Sequence, residues 1–344
     1  MKTGYLLKTT IYAAGFAAGT FILGLAAAPA MARTPVMKIA HVAPQGDPRD
    51  TAARHVADLL NKSDTCKIDA KVYPSGQLGS TTDLIEGMQL GSLEAVILPG
   101  SFLVGFQPIM GLMDFPYFWP SDLKKLLALH QSDAVRKMLD STDSQGVKSL
   151  AIWHTGYKQW TANSPLAAPG DYKGKKARVM PSPVLVAQQK ALGLIPVDMP
   201  FGETYNALQS GAIQAQENPI STSYVMRFYE VQSHITLTSH GTLDQVFMVS
   251  KAWFDKLPEA CRAEIGKAVK SGSQVVVDET LKLDDKGLNA MKAAGVKVVE
   301  PTQDELAKLR GVTDPAVRKE FRSLTGDKGL EVLKAIEAEI AKLG

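Results

Sequence analysis

Residues 177–219 read ARVMPSPVLVAQQKALGLIPVDMPFGETYNALQSGAIQAQENP, and the hydrophobic period changes several times along them. Ala177–Met180 reads as a strand, Val184–Leu192 as a helix and Pro196–Met199 as a second strand. Glu203–Gln209 follows as a helix and Ile213–Glu217 as a closing strand. Short apolar strands alternating with helices imply sheets flanked by helices, the α/β class.

The same alternation begins at residue 36. Val36–Val42 is a short apolar strand. Asp47-Pro48 then supplies an N-cap and a proline at the first helical position, which predicts a helix to about Asn61. Ala53, Val56, Ala57 and Leu60 form its buried stripe. Lys67–Tyr73 alternates strictly, as a strand with one wet face does. A helix over Thr81–Leu90 leads to a strand at Leu93–Leu98. Two segments echo each other: Gln89-Leu90-Gly91-Ser92-Leu93-Glu94-Ala95 and Gln209-Ser210-Gly211-Ala212-Ile213-Gln214-Ala215. Each is a helix end, a glycine stop and a strand start, so two lobes of one layout are expected. In open α/β sheets ligands sit beyond the carboxyl ends of strands, which places a ligand cleft between the lobes. Residues 258–292 contain almost no helix breakers and suit one long helix crossing both lobes. Asp304–Leu309, Pro315–Ser323 and Gly329–Leu343 read as three closing helices.

Composition fits this picture. The 344 residues are 45% hydrophobic and 21% charged, with a formal charge of +3, which suits about two globular lobes. No block of like charge stands out, which argues against nucleic acid as a partner. Residues 1–32 read as a signal peptide. Lys2 and Lys8 precede an apolar run from Ile11 to Ala28, and Ala30-Met31-Ala32 fits the small-residue cleavage rule. Its removal leaves 36 basic and 35 acidic residues. No later stretch is long and apolar enough to span a bilayer, so the mature chain is expected in the periplasm without stable membrane insertion. In an oxidising compartment Cys66 and Cys261 either form a disulfide or stay as two buried thiols; sequence leaves both open.

Catalytic and cofactor patterns do not emerge. The histidines at 41, 55, 130, 154, 234 and 240 never form H-E-x-x-H, and neither G-x-S-x-G nor G-x-G-x-x-G is present. Gly170–Lys176 misses the phosphate-loop spacing and reads as a solvated turn. The chain is therefore expected not to be an enzyme, and no cofactor or metal is implied.

Residues 174–241 resemble the signature of the DctP-type solute-binding proteins of TRAP transporters (tripartite ATP-independent periplasmic carriers). Upstream, KIAHVAPQGDPR at 38–49, YPSGQLG at 73–79, QLGSLEAVI at 89–97 and MDFPYFW at 113–119 also match, as does FMVSKAWFDKLPEACRAEI at 247–265. The resemblance covers essentially the whole mature chain. It implies a type II-like periplasmic binding protein fold, two α/β lobes joined by crossing strands and a long helix. Lobe I would comprise residues 33–154 with about 244–283, and lobe II about 155–243 with 284–344. It also implies capture of a small organic acid by lobe closure and delivery to the small and large TRAP membrane subunits. A receptor feeding a sensor kinase, or the binding protein of an ATP-driven importer, would present a similar pocket. A secreted enzyme on this scaffold is a third reading.

The resemblance also assigns the site. Arg178, in R-V-M-P-S with Met180, matches the arginine that faces a substrate carboxylate; a guanidinium forks onto a carboxylate and stays charged. Asn218 matches the cleft asparagine, whose amide both donates and accepts, and Glu217 reads as a brace for its loop. Phe201 occupies the place of an aromatic wall. Lys158 departs from the pattern, since the family commonly has a second arginine there, and Gln214-Ala215 replaces a usual Asp-Gly. From the first lobe His41, Val42, Thr81 and the loop with Ser101 and Phe102 should face the ligand. Their largely apolar character favours a monocarboxylate with an apolar or aromatic body over a sugar acid. Trp153, His154 and Trp160 would add aromatic surface or hinge packing. Closure without ligand would bury Arg178 and Lys158 unpaired, so an anion would be needed to close the lobes.

Overall fold

A computed structural model describes Thr10 and residues 35–344; apart from Thr10, the expected signal peptide lies outside the described residues. Eleven strands form two sheets. They are β1 (Val36–His41), β2 (Asp69–Tyr73), β3 (Ala95–Pro99), β4 (Val147–Tyr157), β5 (Gln159–Ala162), β6 (Lys176–Val179), β7 (Ile195–Asp198), β8 (Ala215–Asn218), β9 (His234–Thr236), β10 (Thr242–Ser250) and β11 (Lys297–Val299). The first sheet runs β2-β1-β3-β10-β4 and the second β7-β6-β8-β5-β9-β11. In each, three neighbours are parallel and the fourth strand is antiparallel to the third. The echoed segments thus end in equivalent strands, β3 and β8, and both glycine stops, Gly91 and Gly211, have φ of +74°. β4 of the first sheet leads directly into β5 of the second, and β9 of the second leads into β10 of the first, so the chain crosses between the lobes at Lys158 and again at residues 237–241.

Local signals explain the element ends. Asp47 caps the helix Pro48–Asn61, its carboxylate accepting from the Arg49 amide. Ser80 and Asp83 form a capping box on the helix Thr81–Gln89. Lys67 takes a left-handed φ of +47°, which delays the start of β2 to Asp69.

The long helix is Glu259–Ala293, and it touches both lobes through glycines. A Cβ on Gly272 would stand 2.6 Å from the Trp153 ring and 2.9 Å from Val56, both of the first lobe. One on Gly287 would stand 2.9 Å from Tyr224 of the second. The bare backbone lets bulky side chains seat against the helix at both places. Of the three expected closing helices the first two are one; the helical run Gln303–Leu343 is broken at Gly326, between the expected second and third. Pro315 lies inside that run, where its fixed φ suits the helix although one backbone bond is lost. Phe321 meets Phe115 edge-on at 5.2 Å, and Val317, Phe321, Leu333 and Ile336 join one core with Leu103, Met110 and Val184.

Cys66 and Cys261 form a disulfide with Cα atoms 4.9 Å apart, tying residues 195 apart in sequence. Replacing both cysteines with alanine should lower unfolding stability by about 3 kcal/mol, since the crosslink restricts a long loop in the unfolded chain. Denaturant unfolding of the oxidised protein and the double variant measures this; equal midpoints would show that the bridge stabilises nothing.

Candidate functional site

The two crossings are fastened to each other. The Lys158 amide donates to the Gly241 carbonyl at 2.7 Å and the Ser239 amide to Gln159 Oε1 at 2.8 Å. Gln159 Nε2 in turn donates to Ser239 Oγ at 3.1 Å. This brings Lys158 and His240 together over β8, where Glu217 waits. Lys158 Nζ lies 3.5 Å from Glu217 Oε1, and His240 Nε2 lies 2.5 Å from Oε2. Gln188 Nε2 donates to Oε2 at 3.0 Å. All four side chains are buried.

Burial alone would push the Glu217 carboxyl up. The Lys158 charge and the bonds from His240 and Gln188 outweigh it and hold the carboxyl at about 2. Burial lowers the basicity of His240 despite Glu217 beside it. The imidazole stacks on Trp160 at 5.2 Å with 12° between planes and meets Thr238 Oγ1 at 2.7 Å. Glu217 therefore braces the crossing strands. Lys158, expected to lack a partner without ligand, has one within the protein.

Arg178 is different. It sits in β6 and is 3% exposed, and its Nε and Nη2 are buried without a hydrogen-bond acceptor. Its carbonyl accepts from Gln189 Nε2 at 3.0 Å, which fixes the backbone, and its guanidinium lies 5.7 Å from the Phe201 ring centre. Burial pulls its pKa down to about 10, so it remains a cation at neutral pH. Asn218 is buried at the end of β8, with Nδ2 donating to Gln216 Oε1 at 2.5 Å.

Asp114 is a second buried acid near Lys158. Ser101 Oγ donates to its Oδ1 at 2.5 Å, while Oδ2 is buried without a partner. Burial pushes its carboxyl up to about 6, against the pull of Lys158 and of the Ser101 and Ser182 hydroxyls.

A cavity of about 430 Å³ opens between the lobes, with Phe201, the ring that the Arg178 guanidinium approaches, and the Asp198 carboxylate on its wall. Val42, Thr81 and Phe102 line it from the first lobe, and Pro181, Met199 and Phe201 from the second. Ser75, Ser80 and Thr82 also line it, so the first-lobe side carries hydroxyls as well as the expected apolar surface. Met180 lines a neighbouring cavity with Ser182 and Asp198. Two expected residues lie in other networks. His41 faces Asp50 at 3.4 Å, and His154 bonds Asp244 at 2.7 Å beside His130 at 3.1 Å. Trp153 packs on the long helix, donating to the Val269 carbonyl at 3.1 Å. Asp114, Gln188 and His240 escaped the sequence reading, because each gains its role from a partner 13 to 29 residues away.

The fold defines a two-lobed α/β binding protein with a cavity between its lobes. The family model for bacterial extracellular solute-binding protein, family 7 (DctP), matches residues 39–324. The C4-dicarboxylate-binding periplasmic protein DctP of Rhodobacter capsulatus is 34% identical over 331 residues, covering 94% of this chain and 98% of that protein. A TRAP periplasmic solute-binding protein from Desulfovibrio salexigens with bound orotic acid superposes with a TM-score of 0.87 at 32% identity, covering 90% of this chain and 99% of that one. One from Shewanella oneidensis with bound succinate gives 0.82 at 30% identity, with coverage of 90% and 99%. The chain belongs to the DctP family of TRAP-transporter solute-binding proteins. Members of this family are solute-binding receptors rather than enzymes. No helix among the described residues is long and apolar enough to cross a membrane.

Proposed function

We propose that the protein works in the periplasm, after loss of residues 1–32, as the receptor that captures an organic acid and hands it to the small and large TRAP membrane subunits. One observation carries the choice of ligand: Arg178, in a strand that ends at the cleft, keeps two buried guanidinium nitrogens without an acceptor. A carboxylate matches that fork with two parallel charge-assisted bonds. Relatives solved with orotic acid and succinate support an acid as cargo. Asn218 fixes a second polar group, Phe201 walls the cavity, and Thr81, Phe102 and Ser101 with its neighbours judge the rest of the molecule.

Closure is a population shift. Arg178 is buried, which is costly without an anion, so the acid favours the closed form by supplying the countercharge. Lys158 is already balanced by Glu217 and adds little to this demand. The lobes divide near residues 155, 243 and 283, at the crossings and within the long helix.

Denaturing the purified protein and identifying the released small molecule by mass spectrometry tests the ligand class. A carboxylic acid is expected. A cargo without an acid group, retained stoichiometrically, would overturn the reading.

A further inference from the structure

The buried charges beside the cleft can be counted. Lys158 and Glu217 form an ion pair, with Glu217 also held by His240 and Gln188. Asp114 adds a second carboxylate next to that pair. Its Oδ1 is engaged by Ser101, and its Oδ2 is buried without a donor. Ser101 precedes Phe102 and Ser182 follows Pro181, so the two hydroxyls that act on this carboxyl are each next in sequence to a residue of the cavity wall, one from each lobe. Against these two buried carboxylates there are two buried cations, and Asp198 adds an exposed carboxylate on the cavity wall that acts on Arg178, whose Nε and Nη2 have no hydrogen-bond acceptor.

Resting on the reading of the cargo as an organic acid, we infer that this site selects a ligand with one carboxylate and rejects dicarboxylates, and that Asp114 is the residue that enforces the limit. The first carboxylate takes Arg178. A second one would meet Lys158 already committed to Glu217 and would add a negative charge near Asp114. A buried charge without a partner is strongly disfavoured, and like charges at close range add to that cost. A single acid avoids the problem, because Asp114, raised to about 6 by burial, can take up a proton as the acid enters. Family membership does not decide this, since relatives include a protein solved with the diacid succinate and others solved with the single acids orotic acid and β-D-galacturonate.

The test uses the mature protein freed of cargo, titrated calorimetrically with acids in matched pairs that differ by one terminal carboxylate. Suitable pairs are butyrate with succinate, monomethyl succinate with succinate, and benzoate with phthalate and terephthalate. Within every pair that binds, the monoacid should bind at least tenfold tighter. Asp114→Asn, which keeps an acceptor for Ser101, should narrow that gap at least threefold. A dicarboxylate that binds as tightly as its monoacid, or a dicarboxylate found as the co-purified cargo, would overturn the limit while leaving the organic-acid reading standing. A gap unmoved by Asp114→Asn in a variant that melts like the parent would overturn the role of Asp114. Failure of every acid to bind, together with a cargo that is no acid, would instead strike the organic-acid reading itself.

Discussion

Arg178→Ala should weaken binding of the cargo acid by on the order of a hundredfold, about 2.7 kcal/mol. The loss is large because a buried carboxylate would lose both arms of its fork at once, and truncating one partner of a buried charged pair leaves the other uncompensated. Arg178→Lys should recover part of the affinity, since the charge returns but the two parallel bonds do not. Lys158→Ala should cost less in affinity than Arg178→Ala, because Lys158 already answers Glu217 3.5 Å away. Calorimetry with the identified cargo measures all three. Unchanged affinity in Arg178→Ala would remove this residue from the site, and a larger loss in Lys158→Ala would reverse the ranking of the two cations.

Glu217→Ala should destabilise the protein by about 3–5 kcal/mol, the cost of leaving a buried cation unpaired. Lys158 and His240 lose their shared acceptor in the same step, and both lie where the chain crosses between lobes. Replacing the pair together, Lys158→Met with Glu217→Gln, should cost much less, because neither charge then remains buried alone. Denaturant unfolding of the single and paired variants checks this; a Glu217→Ala midpoint equal to that of the parent would show that the ion pair does not hold the crossings. The same carboxyl predicts an acid response. Its pKa is lower folded than unfolded, so its contribution is present above about 4.5 and is lost as pH falls toward about 2. Glu217→Ala should lack that part of the acid transition.

Much of the fold was legible in short stretches of chain. Asp47-Pro48 opened a helix where expected, Gly91 and Gly211 ended helices ahead of β3 and β8, and residues 258–292 formed one long helix. These features depend on dihedral preferences and periodicity within a few residues, which a linear reading captures. Three closing helices were expected, and the first two are one. Pro315 looked like a boundary, but the packing of Val317 and Phe321 into the core keeps the helix going through it.

The site divides along the same line. Arg178, Asn218 and Phe201 were visible as a motif, since each lies near the end of a strand or the loop beyond it in the second lobe. Chain order alone could not tell that Lys158 is spoken for, that Asp114 is a buried acid, or that Cys66 meets Cys261. Those facts follow from distances between residues far apart along the chain, and electrostatic pairing and desolvation act through space. Residue order sufficed for the framework; only the folded chain settled which of the buried charges already had partners.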